Sequence, residues 1–391
     1  RKTLTEKLAH FKSPLMLFAN RCSTFENKYK LTLIVGYIHS DSTIHIVADS
    51  AVTLIGEQTD SSFKKENTNS FGEISENQND QIITESAQKI YNIQDTIIAT
   101  FSGYSNEGNR VLEDLKIELK TSDKSNKTEI ISNYFELRKP SLTEYIIGFS
   151  ENNSSKIYYY QSKGNLVSKK GSYIILGSGS ENKFLTYPLI ITLEKFFEIK
   201  SHPRNLLVFI IALVQCCSLN SLTFFSGVGG FFNGATLFNN KIYWASDSCN
   251  ILYSSKHFDK AERFIVNKFN RENVTFITSP KIKKSAFFPP LNFLEFTTGE
   301  WIENWVDKLL ELNENIDVHY LAFICYDRRI ITVVNKFNDR FSENIKIKQI
   351  DEKKLDFEIS NNILEKLLSY SVDKKTNEEP SDGFGVRFNY V

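Results

Sequence analysis

Sulfur is scarce in this chain of 391 residues, with one methionine and five cysteines. The cysteines (Cys22, Cys216, Cys217, Cys249, Cys325) are odd in number and show neither C-x-x-C spacing nor a paired Cys/His signature. That argues against a disulfide framework or a zinc site and for a reducing compartment, the cytoplasm. An excess of charge is also missing. Lys+Arg and Asp+Glu balance at 47 each, so the chain does not read as a polyanion binder and no nucleic-acid partner is expected. Long apolar runs are absent too. The greasiest segment, 206–217 (LLVFIIALVQCC), falls well short of the roughly 20 residues of a membrane helix and reads as a buried helix. The apolar piece at 14–19 is shorter than the core of a signal sequence, and no membrane is expected. The six histidines (His10, His39, His45, His202, His257, His319) include no pair at metal-ligand spacing, so no metal is expected.

Rings are what the chain has in quantity. It carries 31 Phe and 17 Tyr beside 17 Gly, which predicts cores packed with aromatics. Three stretches are too polar to join a core and read as surface loops: 57–85, 121–128 and 373–383.

Between those loops a period of two dominates. Residues 31–37 and 43–48 read as a β-hairpin turning around 39–42, and 89–93 with 96–102 as a second. Residues 106–119 place Val111, Leu112, Leu115 and Leu119 at helical spacing. Strands are expected at 144–149, 156–161 and 172–176, helices at 181–197 and 203–217, and a closing hairpin at 231–238 and 241–245 around Asn239–Asn240. Antiparallel hairpins with helices grouped between them predict an α+β fold with two helix-covered sheets, not a doubly wound parallel sheet. Beyond about residue 250 the pattern restarts. Helices are expected at 259–269, 301–312 and 361–370, a hairpin at 320–325 and 330–334, and a strand at 345–350. This predicts a C-terminal extension or small α+β domain over 250–391.

The pair Thr32-Leu-Ile-Val-Gly36 and Ile46-Val-Ala-Asp49-Ser-Ala-Val-Thr53 resembles the opening of proteasome subunits and of the bacterial protease HslV. Lys89-Ile-Tyr-Asn-Ile93 followed by Ile97-Ile-Ala-Thr-Phe-Ser-Gly103 resembles their second hairpin, and Leu176-Gly-Ser-Gly-Ser-Glu181 the turn that opens their central helix. The resemblance spans roughly residues 31–247. It implies the four-layer αββα sandwich of the N-terminal nucleophile (Ntn) hydrolases over 31–249, preceded by a propeptide-like or cleft-covering segment at 1–30 and carrying a polar insertion at 56–88.

Residue by residue, the resemblance puts Thr32 at the nucleophile and Asp49 at the acid that holds the catalytic lysine. It puts Lys89 at that lysine, Gly103 at the oxyanion-hole amide and Ser178 at the serine that hydrogen-bonds the N-terminal amine. Such chemistry needs a free α-amine on Thr32 as the base, and within an intact chain that nitrogen is a non-basic amide. Activity therefore requires removal of residues 1–31.

Two departures point the other way. Leu31 stands where self-processing members have glycine, and Thr223-Phe-Phe-Ser-Gly-Val-Gly-Gly230 has the family's glycines without its aspartate. Plainer roles also fit the same residues: an ion pair for Asp49 and Lys89, a β-branched strand residue for Thr32, turn glycines at 103, 177 and 179, and a helix cap for Ser178. The resemblance thus carries two readings. One is a threonine-type peptidase that hydrolyses amide bonds of peptides or proteins after processing. The other is a non-catalytic scaffold or assembly subunit that keeps its N-terminal segment. The same fold also supports amidases of small molecules. In each case the family implies assembly with copies of the chain or a related subunit, and no cofactor. The insertion separates Asp49 and Lys89 by 40 residues and would lie near the mouth of the cleft, restricting entry or docking a partner.

Overall fold

The computed structural model describes residues 32–40, 42–55, 81–85, 88–122, 126–196, 201–221 and 223–253, the single positions 69, 71, 73 and 198, and strands within 264–390. The described part is α+β, with two antiparallel five-stranded sheets. The first sheet contains β1 (Ile34–Ser40), β2 (Thr43–Asp49), β10 (Tyr173–Leu176), β11 (Phe232–Phe238) and β12 (Lys241–Trp244), in the order β10-β1-β2-β11-β12. The second runs β5 (Ile90–Gln94), β6 (Ile97–Gly103), β7 (Thr143–Glu151), β8 (Ser154–Tyr160) and β9 (Gly164–Val167) in chain order. Between them in sequence, β3 (Ala51–Ile55) pairs with β4 (Gln81–Glu85) as a two-stranded sheet among the described residues.

Alternation decides which side chain goes where. Even-numbered isoleucines of both sheets, Ile34, Ile38, Ile44 and Ile46 with Ile90, Ile98 and Ile146, form one buried cluster together with Ile157 of β8. Odd-numbered Tyr91, Phe101, Tyr145, Ile147 and Phe149 pack instead with Leu112 and Leu115 of α1 (Ser105–Thr121) and with Ile131 and Phe135 of α2 (Lys127–Arg138). Val35, Tyr37 and Val47 of the first sheet join α3 (Lys183–Phe196) and α4 (Pro203–Ser221) in a third cluster. A strand with two buried faces has little room for polar residues, which is why these segments read as near-continuous apolar runs.

Helix α4 is buried along almost its whole length and, among the described residues, is the one helix long and apolar enough to cross a membrane. Its outer side is covered by a seven-stranded sheet. There β13 (Ser248–Tyr253) pairs antiparallel with β14 (Phe264–Arg271) and parallel with β17 (Tyr320–Cys325), and β17 pairs with β18 (Ile330–Asn335). Leu252, Ala322, Ile324, Ile331 and Val333 belong to the α4 cluster, and the Tyr320 hydroxyl donates to Asn205 Oδ1 at 2.7 Å.

The two N-terminal hairpins, α1, α3, α4 and the Asn239–Asn240 turn stand where the pattern predicts them. Both asparagines have φ near +50° (48° and 59°), the left-handed geometry of a two-residue hairpin turn. Several expectations need correction. The helix expected at 259–269 is in its described part the strand β14, because a short segment of mixed apolar and polar residues (FIVNKFNR) fits either period and sheet neighbours on both sides settle it. The helices expected at 301–312 and 361–370 lie outside the described residues. The polar stretch 57–85 ends in a strand, not a loop. Helix α2 went unread although Asn126 caps it, its Oδ1 accepting from Glu129 N at 3.2 Å, an Asn-x-x-Glu signal visible in the sequence.

His45 in β2 is 1% exposed and pairs through Nδ1 with Thr236 Oγ1 at 2.8 Å. Burial, reinforced by nearby His39, pulls its pKa down to about 3. Between pH 6.5 and about 3 the unfolded chain therefore binds a proton that the folded chain refuses. Stability should fall on acidification through that window, by up to about 1.4 kcal/mol per pH unit from this one group. Urea unfolding of His45→Leu at several pH values should show a shallower acid loss than the parent; parallel curves would clear His45 of the effect.

Candidate active site

Thr32 lies two residues before β1, Asp49 closes β2, and Lys89 immediately precedes β5, so three strand termini converge. All three side chains are buried, at 4%, 1% and 6% exposure for Thr32, Asp49 and Lys89. Lys89 Nζ donates to Thr32 Oγ1 at 2.6 Å and to Asp49 Oδ1 at 2.8 Å. Asp49 Oδ1 also accepts from Leu33 N at 3.2 Å, and Oδ2 accepts from Gly229 N at 2.9 Å.

Burial draws the Lys89 pKa below the ordinary lysine value, with the attraction of Asp49 opposing the fall. Burial likewise lifts Asp49, while Lys89 and the amides of Gly229 and Leu33 hold it back. A cation in this position withdraws charge from the threonine hydroxyl and would stabilise its alkoxide. A lysine eased toward neutrality can also return a proton at less cost than a surface lysine.

The backbone of Thr32 is fixed from the other side. Its carbonyl accepts from Gly179 N at 3.2 Å, and it crowds Gly177. Gly177 has φ +89°, and a Cβ there would lie 2.1 Å from Thr32 O and 2.9 Å from Ser102 Oγ. Glu144, 6% exposed, accepts from Gly177 N at 3.1 Å.

Thr32, Asp49 and Lys89 are thus joined by direct hydrogen bonds. Ser178 falls between the two glycines that flank the Thr32 carbonyl, and its buried hydroxyl finds no hydrogen-bond partner among the described residues. It does not cap the following helix. Asn182 does, its Oδ1 accepting from Phe184 N and Leu185 N. Gly103 ends β6 at φ +125°, next to Ser102.

Three residues of the surroundings were not read from the sequence. Gly229 supplies an amide to Asp49, Glu144 holds Gly177, and Glu85 accepts from Phe231 N at 2.7 Å at the glycine turn that lacks its own acid. Thr223, which opens the segment at 223–230, shares a hydrogen bond with Ser218 Oγ at 2.6 Å. Only the glycines of the 227–230 turn gave a signal. The two glutamates sit far away in sequence, and nothing local marks them.

The insertion also reaches the interior. Asn69 is 1% exposed, and Phe71 packs against the α4 cluster. Glu73 accepts from Asn69 Nδ2 at 2.7 Å, and burial, together with the charge of Glu85, raises its pKa to about 7 against the pull of that hydrogen bond.

Residues 74–185 match the proteasome subunit family, a stretch that takes in Lys89, Gly103 and Ser178 and begins after Thr32 and Asp49. The resemblance to proteasome-like Ntn hydrolases is thereby supported from a second direction. No curated protein matches the chain.

Proposed function

From a proteasome-like chain with a buried lysine on a threonine hydroxyl, we propose a latent threonine-type amidohydrolase of proteasome/HslV kind. Its active form begins at Thr32. The observation that carries this reading is the 2.6 Å contact from Lys89 Nζ to Thr32 Oγ1, with Asp49 behind the lysine at 2.8 Å. A structural ion pair has no need of the hydroxyl. A nucleophile does.

In the proposed reaction the freed α-amine of Thr32 takes the hydroxyl proton as Oγ1 bonds to the substrate carbonyl carbon. The Gly103 amide would receive the oxyanion, a donor typically worth about 2.7–4 kcal/mol. Collapse breaks the carbon–nitrogen bond, and the leaving amine carries the proton away. Water then hydrolyses the ester and restores the hydroxyl. Ser178 would orient the amine. Peptides or proteins are the proposed substrates, and the setting a cytoplasmic assembly of this chain with itself or a related subunit. Residues 31–249 would form the four-layer αββα sandwich, with 250–391 as an extension.

Leu31 before the threonine favours the second reading, a scaffold that keeps its N-terminal segment. Intact mass of the purified chain separates the two. The enzyme should lose residues 1–31 and then be acylated at Thr32 by a threonine-directed electrophile, while Thr32→Ala should stay whole and unlabelled. A chain that stays whole, and fails to react even after cutting before Thr32 at an introduced protease site, leaves the scaffold.

A further inference from the structure

The geometry points to Glu85 as a positioning residue for the Thr32–Lys89–Asp49 set, a carboxylate delivered by the polar insertion to the glycine turn that carries none. Its bearing on catalysis rests on the reading of Thr32 above; its effect on Asp49 and Lys89 does not.

Glu85 is the last residue of β4, and the β3–β4 register sets it opposite Ala51. Ser50 and Ala51 in turn donate their amides to Gly229 O at 3.3 and 3.1 Å. The hairpin therefore lays Glu85 against the glycine turn. There Oε1 accepts from Phe231 N at 2.7 Å, and the residue is 7% exposed. Gly230, at φ +72°, makes the approach possible. A Cβ at that position would stand 3.0 Å from Glu85 Cγ and 2.7 Å from Ser50 Oγ. On its far side the turn is held by Gln215 of α4, whose Nε2 donates to Gly230 O at 2.9 Å and whose Oε1 accepts from Phe232 N at 3.2 Å.

The consequence lies one residue earlier. Gly229 N donates to Asp49 Oδ2 at 2.9 Å, and Asp49 holds Lys89 on the threonine hydroxyl. A turn clamped by an amide on one side and a carboxylate on the other keeps that amide aimed. A carboxylate suits the task because a hydrogen bond to an ionised acceptor is roughly twice as strong as one to a neutral acceptor. A buried glutamate serving only to pack would be a poor choice, since an apolar side chain fills the same space without the desolvation cost. The insertion is thus tied to the site by a specific bond, so a change in its conformation would be felt at Asp49.

The test uses the full chain with Glu85→Ala and Glu85→Gln. Amide hydrogen exchange at Gly229 and Phe231, and the pH profile of Lys89 acylation read by mass spectrometry, both report without any catalytic turnover. Loss of a hydrogen bond to a charged group should speed exchange at both amides by about ten- to a hundredfold in Glu85→Ala. With Asp49 loosened, Lys89 loses the partner that opposes burial, so its acylation midpoint should move to lower pH. Glu85→Gln, which keeps the shape, should fall between and decides the matter if the alanine variant does not fold. Unchanged exchange overturns the inference. Faster exchange with an unmoved Lys89 profile overturns it as well, leaving Glu85 a mere prop for the turn. Should the Lys89 profile shift while the cut parent chain ignores threonine-directed electrophiles, Glu85 keeps its place and the hydrolase reading falls.

Discussion

Lys89→Met is expected to lower folding stability by about 3–5 kcal/mol and to steepen the loss of stability that the buried Asp49 already brings as pH rises. The lysine is the cation facing Asp49, which is 1% exposed and lies 2.8 Å away. Without it a carboxylate remains buried with only the amides of Leu33 and Gly229 to compensate. Burial already lifts the Asp49 pKa, and Lys89 is the strongest influence holding it back. In the variant that restraint is gone, so folded Asp49, which already binds a proton more tightly than unfolded Asp49, binds it more tightly still. The stability attached to this protonation is then full below the unfolded value near 3.9 and lost as pH rises through the raised folded value. Chemical denaturation should accordingly find Lys89→Met weakest, relative to the parent, at neutral and alkaline pH. Adding Asp49→Asn should recover much of the loss, because the amide keeps an acceptor and removes the unpaired charge. A single variant as stable as the parent at pH 7, or a double variant showing the sum of two independent losses, would mean the pair is not coupled as the geometry implies.

Gly177→Ala should be nearly as damaging, and for a reason specific to the site. At φ +89° and ψ 174° the residue occupies a region that side chains rarely enter, at a cost of about 1–3 kcal/mol. The added methyl would lie 2.1 Å from the Thr32 carbonyl oxygen, a backbone atom that cannot swing aside. Overpacking of this kind adds about 1–3 kcal/mol, giving about 2–6 kcal/mol in all. Relief requires Thr32 to move, breaking its bond from Gly179 N and withdrawing its hydroxyl from Lys89. Gly179→Ala is the control. Its Cβ would meet side-chain atoms of Leu33 and Val228 at 3.0–3.1 Å, a milder approach than 2.1 Å to a backbone oxygen and one at an ordinary φ. Thermal unfolding should separate the two clearly, with Gly177→Ala the lower. Equal midpoints would show that the close approach at Gly177 is relieved without moving Thr32.

Much of the architecture was legible because it is local. The β1–β2 and β5–β6 hairpins declare themselves through apolar runs broken by polar turns, and Asn239–Asn240 through a residue type that tolerates positive φ. Helix α1 shows in the spacing of Val111, Leu112 and Leu115. Ambiguity begins where a short segment serves either period: 259–269 reads as a helix, and only sheet neighbours on both sides fix 264–271 as a strand. Composition misled in a different way. Residues 57–85 are polar on average, yet Asn69, Ile83 and Glu85 are buried and the last five residues form a strand. An average over thirty residues hides the few that dock.

For the site, it was the resemblance of short sequence segments to proteasome subunits that put forward Thr32, Asp49 and Lys89 as a candidate set, together with the Gly-Ser-Gly turn at 177–179. Each stands at or beside a strand end, and periodicity located those strands while the resemblance supplied the roles. Only the tertiary structure decided that the lysine touches both the hydroxyl and the carboxylate, that Gly229 closes the ring of donors around Asp49, and that Glu85 stands at the glycine turn. Those contacts join residues separated by 57, 40, 180 and 146 positions. A hydrogen bond is made in space, over about 3 Å, and the chain order of its partners leaves no trace that a pattern of neighbours could record.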